Sequence, residues 1–346
     1  MTTLADKQSQ PHRLPTMREV AALAGVSIKT VSRVINQEAG VSPELIERVN
    51  EAIRLLDYQH NSAASSLRRN DQRTATIGLV LDDVANPFSS ALHRAVEEVA
   101  RQHHTLVLAA SSDDEPERMA EVLHTLASRR IDGLIIVPSG SEQAGLQQLQ
   151  RLGRPIVCVD RPAALAEVDS VTVDNRAGAS AAVRHLAAHG HRQIGFLGDR
   201  RSIWTAAERH LGYVEGLALA GLRLDTALVR QDIGSSDSAA RAVAELLAAD
   251  DPPTALFTGQ NLITIGAIRT LQQQGLQRRV ALVGFDDVLL ADLLDPPVSV
   301  VAQDLAALGR SAAELLFARL GGDASPPQHI IVPTRLIARG SGEIRA

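Results

Sequence analysis

The chain has 346 residues, 45% of them hydrophobic and 22% charged, with a mean hydropathy near zero. Those values exclude a disordered chain, and at this length two or three folding units are expected. The net charge of −5 hides an asymmetry: residues 1–73 hold ten Lys/Arg against eight Asp/Glu, and the rest hold 25 against 32; a basic head on an acidic body suits nucleic-acid contact at one end, and chance accounts for so small a difference equally well.

Thr16-Met17-Arg18-Glu19 has the form of a capping box, so a first helix starts near Met17. Val20, Leu23 and Ala24 fall on its inner face, and Gly25 stands where a left-handed residue ends a helix. Ser27 caps a second helix over Ile28 to Asn36, with Val31, Val34 and Ile35 inward and Ile28, Lys29, Ser32 and Arg33 outward. Ser42-Pro43-Glu44 opens a third, with Leu45, Val49, Ile53 and Leu56 inward. Two short helices joined by a turn of three to four residues make a helix-turn-helix, whose second helix fits a major groove. Lys29, Thr30, Ser32 and Arg33 then offer donors to bases and phosphates. The alternative is a small helical packing domain with a solvated face.

The runs Met17-Arg18-Glu19-Val20-Ala21-Ala22-Leu23-Ala24-Gly25-Val26-Ser27 and Thr30-Val31-Ser32-Arg33-Val34-Ile35-Asn36 strongly resemble the lactose-repressor (LacI/GalR) family. The resemblance implies that Ile28, Lys29 and Arg33 reach base edges, with Thr30, Ser32 and Asn36 on phosphates. Thr16, Ser27, Tyr58, Asn61, Ala64 and Arg68 complete the expected DNA-facing set. The stretch Asn61 to Arg69 has little apolar face and is marginal as an isolated helix. In the family, paired hinge helices form on the operator and wedge a leucine, here Leu67, into a minor-groove step. His60 stands at the usual proline position and Ser65 at the usual arginine position, which weakens that expectation; a plain flexible linker is the alternative. The domain plan is a flexible extension over 1–15, the head over 16–60, hinge helix and linker over 61–73, and a core over 74–346. Within the core, one lobe is expected at about 74–173 and 304–332, the other at about 174–303 and 333–346.

From Thr76 onward short β-branched runs alternate with helical segments: Ile77 to Leu81, Leu106 to Ala109, Leu134 to Val137, Ile156 to Val159, Ile194 to Leu197, Ala255 to Thr258 and Ala281 to Gly284. Such alternation predicts parallel sheets with helices on both faces, and the length suggests two lobes with a cleft between them. The fold class is therefore α/β: a small all-α helix-turn-helix head and hinge joined to a two-lobed parallel-sheet core. Ligands of open α/β sheets sit beyond the carboxyl ends of strands. That rule selects Asn86 and Phe88, Asp160 and Arg161, Gln260 and Asn261, Asp286 with Asp287, and Gln303 with Asp304; Trp204 and Arg209 join them. An aromatic face with carboxylate, guanidinium and amide forks is the chemistry of a neutral polyol site.

The core also resembles that of the family and the periplasmic sugar-binding proteins. Phe88, Asp160, Arg161, Arg209, Asp286 and Gln303 keep the residue types of a ribose-type site, implying a pentose or similar monosaccharide. Gln260-Asn261 replaces the family's usual Asn-Asp pair, which opens ring size and stereochemistry to change. Singly, Asp160, Asp174 and Asp286 read equally as strand-end caps, and Trp204 as packing. His185, His189 and His191 have a spacing that suggests a metal, but read better as surface residues at the helix end that Gly190 terminates, with no carboxylate or thiolate near in sequence.

Enzymes share such cores, but lysine occurs only at Lys7 and Lys29, and G-x-G-x-x-G, G-x-S-x-G and H-E-x-x-H are absent. The single cysteine, Cys158, lies in a predicted strand, excluding an internal disulfide. No apolar run approaches the roughly 20 residues of a bilayer span, and residues 1–15 are polar, so a cytoplasmic protein without membrane partner or cofactor is expected. The leading reading is a repressor that binds a pseudo-palindromic operator as a homodimer and answers to a monosaccharide, as inducer or corepressor. A purine- or nucleoside-responsive repressor is second, though it wants stacking on both ring faces; an α/β enzyme is third.

Overall fold

A computed structural model describes residues 15–35, 38–58, 73–162 and 167–346. Asn36 and the hinge positions Asn61, Ala64, Leu67 and Arg68 lie outside them. The chain divides into two compact units, Met1–Thr74 and Ala75–Ala346.

The first unit holds α1 (Met17–Ala24), α2 (Ile28–Ile35) and α3 (Pro43–Leu55). Thr16 accepts from the Glu19 amide while Glu19 reaches back to the Thr16 amide, the reciprocal box expected. Gly25 ends α1 at φ +65°, and Arg48 of α3 donates to the Ala24 carbonyl at 2.6 Å, satisfying one of the orphan acceptors at that helix end. The core is Val20, Ala21, Ala24, Val31, Val34, Val49 and Ala52, with Tyr58 packed against it. Leu23, expected inside, is 52% exposed; the helix turns Ala21 inward in its place.

The second unit is two parallel sheets. Strands β1 (Thr76–Leu81), β2 (Leu106–Ser111), β3 (Leu134–Ile136), β4 (Ile156–Val159) and β5 (Asp169–Val173) form one, with β11 (His329–Val332) added. Strands β6 (Ile194–Leu197), β7 (Val229–Arg230), β8 (Ala255–Thr258), β9 (Ala281–Phe285) and β10 (Ser299–Ala302) form the other, with β12 (Arg335–Ile337) antiparallel at its edge. The orders are β11-β5-β4-β3-β1-β2 and β12-β10-β9-β8-β6-β7, the same winding twice.

Helices cover both faces of each sheet, as parallel strands require. In the first lobe α4 (Pro87–Gln102) and α11 (Leu305–Leu320) enclose a core around Ile77, Leu79, Leu81 and Leu308. On the opposite face α5 (Pro116–Ser128) and α6 (Gln143–Arg151) bury Met119, Leu123 and Leu146. In the second lobe α7 (Asn175–Ala188) and α8 (Trp204–Leu219) lie over Phe196, Phe257 and Phe285. There α9 (Ser236–Leu247) and α10 (Asn261–Gln273) cover the other face. Helices α7 and α8 touch backbone to backbone: a Cβ at Gly212 would stand 2.3 Å from the Arg176 carbonyl oxygen.

The three histidines are not the surface group expected from the sequence. His191 is fully buried, bonding Thr254 Oγ1 at 2.9 Å and the Ile344 carbonyl at 2.8 Å. His185 pairs with Glu343, a carboxylate far away in sequence. Together they anchor the 341–346 segment, and no cluster able to hold a metal ion occurs among the described residues.

Candidate effector cleft and DNA-binding head

Within the second unit the carboxyl ends of both sheets carry the polar residues. Asp160 follows β4 and Asp286 follows β9, each in the left-handed region at φ +69° and +68°. Each donates its amide to the neighbouring strand at 2.9 Å, Asp160 to Val171 O and Asp286 to Val301 O. A non-glycine residue held there is strained, and such strain persists where surroundings over-determine it.

Arg161, buried beside Asp160, donates through Nη1 to Asp114 Oδ1 at 2.7 Å and to Pro138 O at 3.1 Å. Its Nε lies 3.5 Å from Asp160 Oδ2. In the second lobe Arg209, projecting from α8, donates Nε to Asn175 Oδ1 at 2.8 Å and Nη1 to Gly259 O at 2.8 Å. Its guanidinium sits 3.8 Å over the Phe285 ring and 3.4 Å from Asp286 Oδ2. Gln303 donates to Asp286 Oδ1 at 2.5 Å. Burial pushes the Asp160 carboxyl up from 3.8 to about 6; Arg161 and Arg209 oppose the rise, and Asp82 and Asp286 add to it. Asp160 thus feels charges from both lobes. Two buried atoms of this group lack hydrogen-bond partners among the described residues: Arg161 Nε, a donor, and Gln303 Oε1, an acceptor.

The lobes also touch. Asn261 Nδ2 donates to Asn86 Oδ1 at 2.7 Å, and Arg200 Nη2 donates to Asp114 Oδ2 at 3.0 Å. Asn86 caps α4, which carries Phe88 half-buried against the first core. Gln260 is engaged elsewhere than expected: Oε1 caps α10 at Leu262 N and Nε2 donates to Asp199 at 2.9 Å. Trp204 is the first residue of α8 and is 37% exposed. Asp174 accepts from Thr334 N at 2.6 Å, a strand-end cap. Asn175, Asp114 and Arg200, whose pairings no local pattern in the sequence singles out, are bonded to this group.

In the head, Ser27 Oγ accepts from Thr30 N at 3.1 Å, opening α2. Ile28 and Lys29 are exposed, while Thr30, Ser32 and Arg33 are half-buried. Arg33 donates to Ala39 O at 2.5 Å and approaches Glu38 at 3.5 Å. Thr16 and Ser27 act as helix caps, leaving helix N-termini, the groups that favour phosphate, on the surface.

A helix-turn-helix head with a two-lobed body of doubly wound sheets defines the class of ligand-responsive DNA-binding regulators. Residues 16–61 match the model of bacterial regulatory proteins of the lacI family, and residues 183–342 match the periplasmic binding protein-like domain. The transcriptional regulator CelR of Thermobifida fusca is 34% identical over 341 residues, covering 95% of this chain and 99% of the relative. A solved CelR–cellobiose complex is 32% identical at a TM-score of 0.70, covering 94% of this chain and 99% of that one. The lac repressor dimer bound to operator and an anti-inducer is 26% identical at 0.84, covering 95% and 99%. The chain belongs to the LacI family of DNA-binding transcriptional regulators. Its relatives are regulators, not enzymes. No helix among the described residues is long and apolar enough to cross a membrane.

Proposed function

We propose that this regulator is a repressor whose operator affinity is set by a small neutral sugar, of pentose type, held between the two lobes. The observation that carries the reading is the pair of unpartnered buried atoms, Arg161 Nε and Gln303 Oε1. A buried donor and a buried acceptor each cost free energy when unmade, and a hydroxyl, being both donor and acceptor, satisfies either. Arg161, Arg200 and Arg209 are each engaged by aspartates, and Asp82, Asp114, Asp160 and Asp286 outnumber them, so no free cation awaits an anionic ligand, which favours a neutral polyol. Asn86, Phe88, Asp160, Arg161, Arg209, Asn261, Asp286 and Gln303 form the proposed site, with Asn175 added. Gln260 and Trp204 belong to its rim.

On the DNA side, Ile28, Lys29 and Arg33 are proposed to reach bases, with Thr16, Ser27, Thr30, Ser32 and Tyr58 around the phosphates. Asn36, Asn61, Ala64, Leu67 and Arg68 keep the roles given by family resemblance. A homodimer fits two half-sites, and exposed Leu289, Leu293 and Ile331 supply apolar surface for self-association.

The cellobiose-bound relative favours a second reading, a disaccharide. Calorimetry with D-ribose, hexoses, cellobiose and nucleosides decides: pentose binding that weakens operator affinity is expected, and binding of cellobiose or a nucleoside alone overturns the pentose reading.

A further inference from the structure

We propose that Arg200 and Asp114 form a charged latch across the cleft, with Arg200 a positioning residue that sets how tightly the lobes hold the effector without touching it. The idea rests on the cleft reading above, and it starts from topology. The chain passes between the lobes after β5, β10 and β11, the strands at or next to one edge of each sheet, while β1, β2, β6 and β7 lie toward the opposite edges. Asp114 follows β2 and Arg200 follows β6. A contact there lies far from the crossovers and has a long lever on lobe angle.

The carboxylate of Asp114 is shared. Oδ1 takes Arg161 Nη1 at 2.7 Å and Oδ2 takes Arg200 Nη2 at 3.0 Å. One side chain thereby joins a residue of the second lobe to an arginine that carries an unpartnered donor in the first. Asp113 and Asp114 are consecutive left-handed residues, at φ +52° and +53°. The turn is held by the Asp113 amide donating to Asp82 O at 2.7 Å and by the Arg118–Asp113 ion pair. Strain of this kind needs support from outside the turn, and the two arginines on Asp114 provide it.

The other cross-lobe bond described above, Asn261 to Asn86, is between neutral amides. The Arg200 side chain is 48% exposed, so mobile ions screen its pairing. Effector binding by this protein therefore carries a salt dependence that a neutral sugar alone does not confer.

The test uses the full chain and D-ribose as probe. Wild-type affinity is expected to fall with added NaCl; Arg200→Ala lowers affinity about fivefold, the scale of one ion pair, and removes the salt dependence, which Arg200→Lys restores. A ligand-free arm places nitroxides at Glu121→Cys and Glu245→Cys, exposed on α5 and α9, the native Cys158 being buried. Arg200→Ala is expected to lengthen the interlobe distances relative to wild type and to Arg200→Lys. Unchanged distances, or an unchanged salt dependence, overturn the latch. Failure of the wild type to bind D-ribose while Arg200→Ala lengthens the distances keeps the latch and removes the pentose reading.

Discussion

Asp160→Asn isolates the cost of keeping a carboxylate where the two lobes meet. In the folded protein that carboxyl titrates at about 6 instead of 3.8, chiefly through burial. A carboxyl whose folded value is raised binds its proton more tightly in the folded state. Its contribution is therefore fully present below about pH 4 and is lost as pH rises through 6. Over the whole titration the loss amounts to about 3 kcal/mol.

Asparagine has the shape of the protonated acid and cannot ionise, so the variant escapes the loss. Its stability relative to wild type is expected to climb by about 2.4 kcal/mol between pH 4 and pH 7 and then level off. Other carboxylates act with the opposite sign: Asp287, held low by its hydrogen bond from Arg339, loses its contribution as pH falls. That effect is common to both proteins and cancels in the difference. Urea unfolding of each protein at pH 4, 5, 6 and 7 measures the climb. A difference that stays flat, or that falls with rising pH, refutes the assignment of a buried, costly charge at Asp160. The stabilised variant is also expected to bind D-ribose at least tenfold more weakly, since a charged acceptor contributes roughly 1.5–3 kcal/mol.

Arg33→Ala is expected to cost about 1–3 kcal/mol of operator affinity and to relax preference at one base pair; fluorescence anisotropy against a set of single-base operator variants checks both. Gly212→Ala drives a methyl to 2.3 Å from the Arg176 carbonyl and is expected to destabilise the second unit by about 1–3 kcal/mol. Gly234→Ala, where an added Cβ meets nothing within 4 Å, is the neutral control in the same thermal melts.

Most of the strands that were legible in advance are buried on both faces, the partly exposed edge strand β2 being the exception. Ile156–Val159, Ile194–Leu197 and Ala255–Thr258 end where the apolar runs end, because a central parallel strand needs apolar side chains toward both helical layers. Strand β5 is as buried but carries Asp169, Ser170 and Thr172. Arg319 satisfies Asp169 with two bonds of 2.8 Å, a partner that no local pattern discloses. Edge strands β11 and β12 are partly exposed and short, so their composition resembles loop. The cleft shows the same division. Applying the strand-end rule to β4, β9 and β10 reaches Asp160, Asp286 and Gln303. Extending it to β2 and β6 reaches Asp114 and Arg200, but their value lies in a pairing across lobes that only the folded chain displays.

The repeated winding of the two sheets explains why both lobes present an aspartate paired with an arginine. Each lobe turns an aspartate out of the end of its fourth strand with the same left-handed backbone and the same amide bond to the fifth. What differs is the arginine. In the first lobe it is the next residue in the chain, Arg161, tied back to Asp114; in the second it comes from a helix, Arg209, stacked on Phe285. Two aspartates facing one another without those arginines would repel and would raise each other's affinity for protons. With them, the lobes approach while keeping one donor and one acceptor unmade. On the proposed reading, those two atoms are the ones a ligand whose hydroxyls donate and accept alike would satisfy, and it would do so with the lobes together. If that proposal holds, ligand affinity and lobe closure are linked free energies, the coupling a regulator needs to convert a small molecule into a change at DNA.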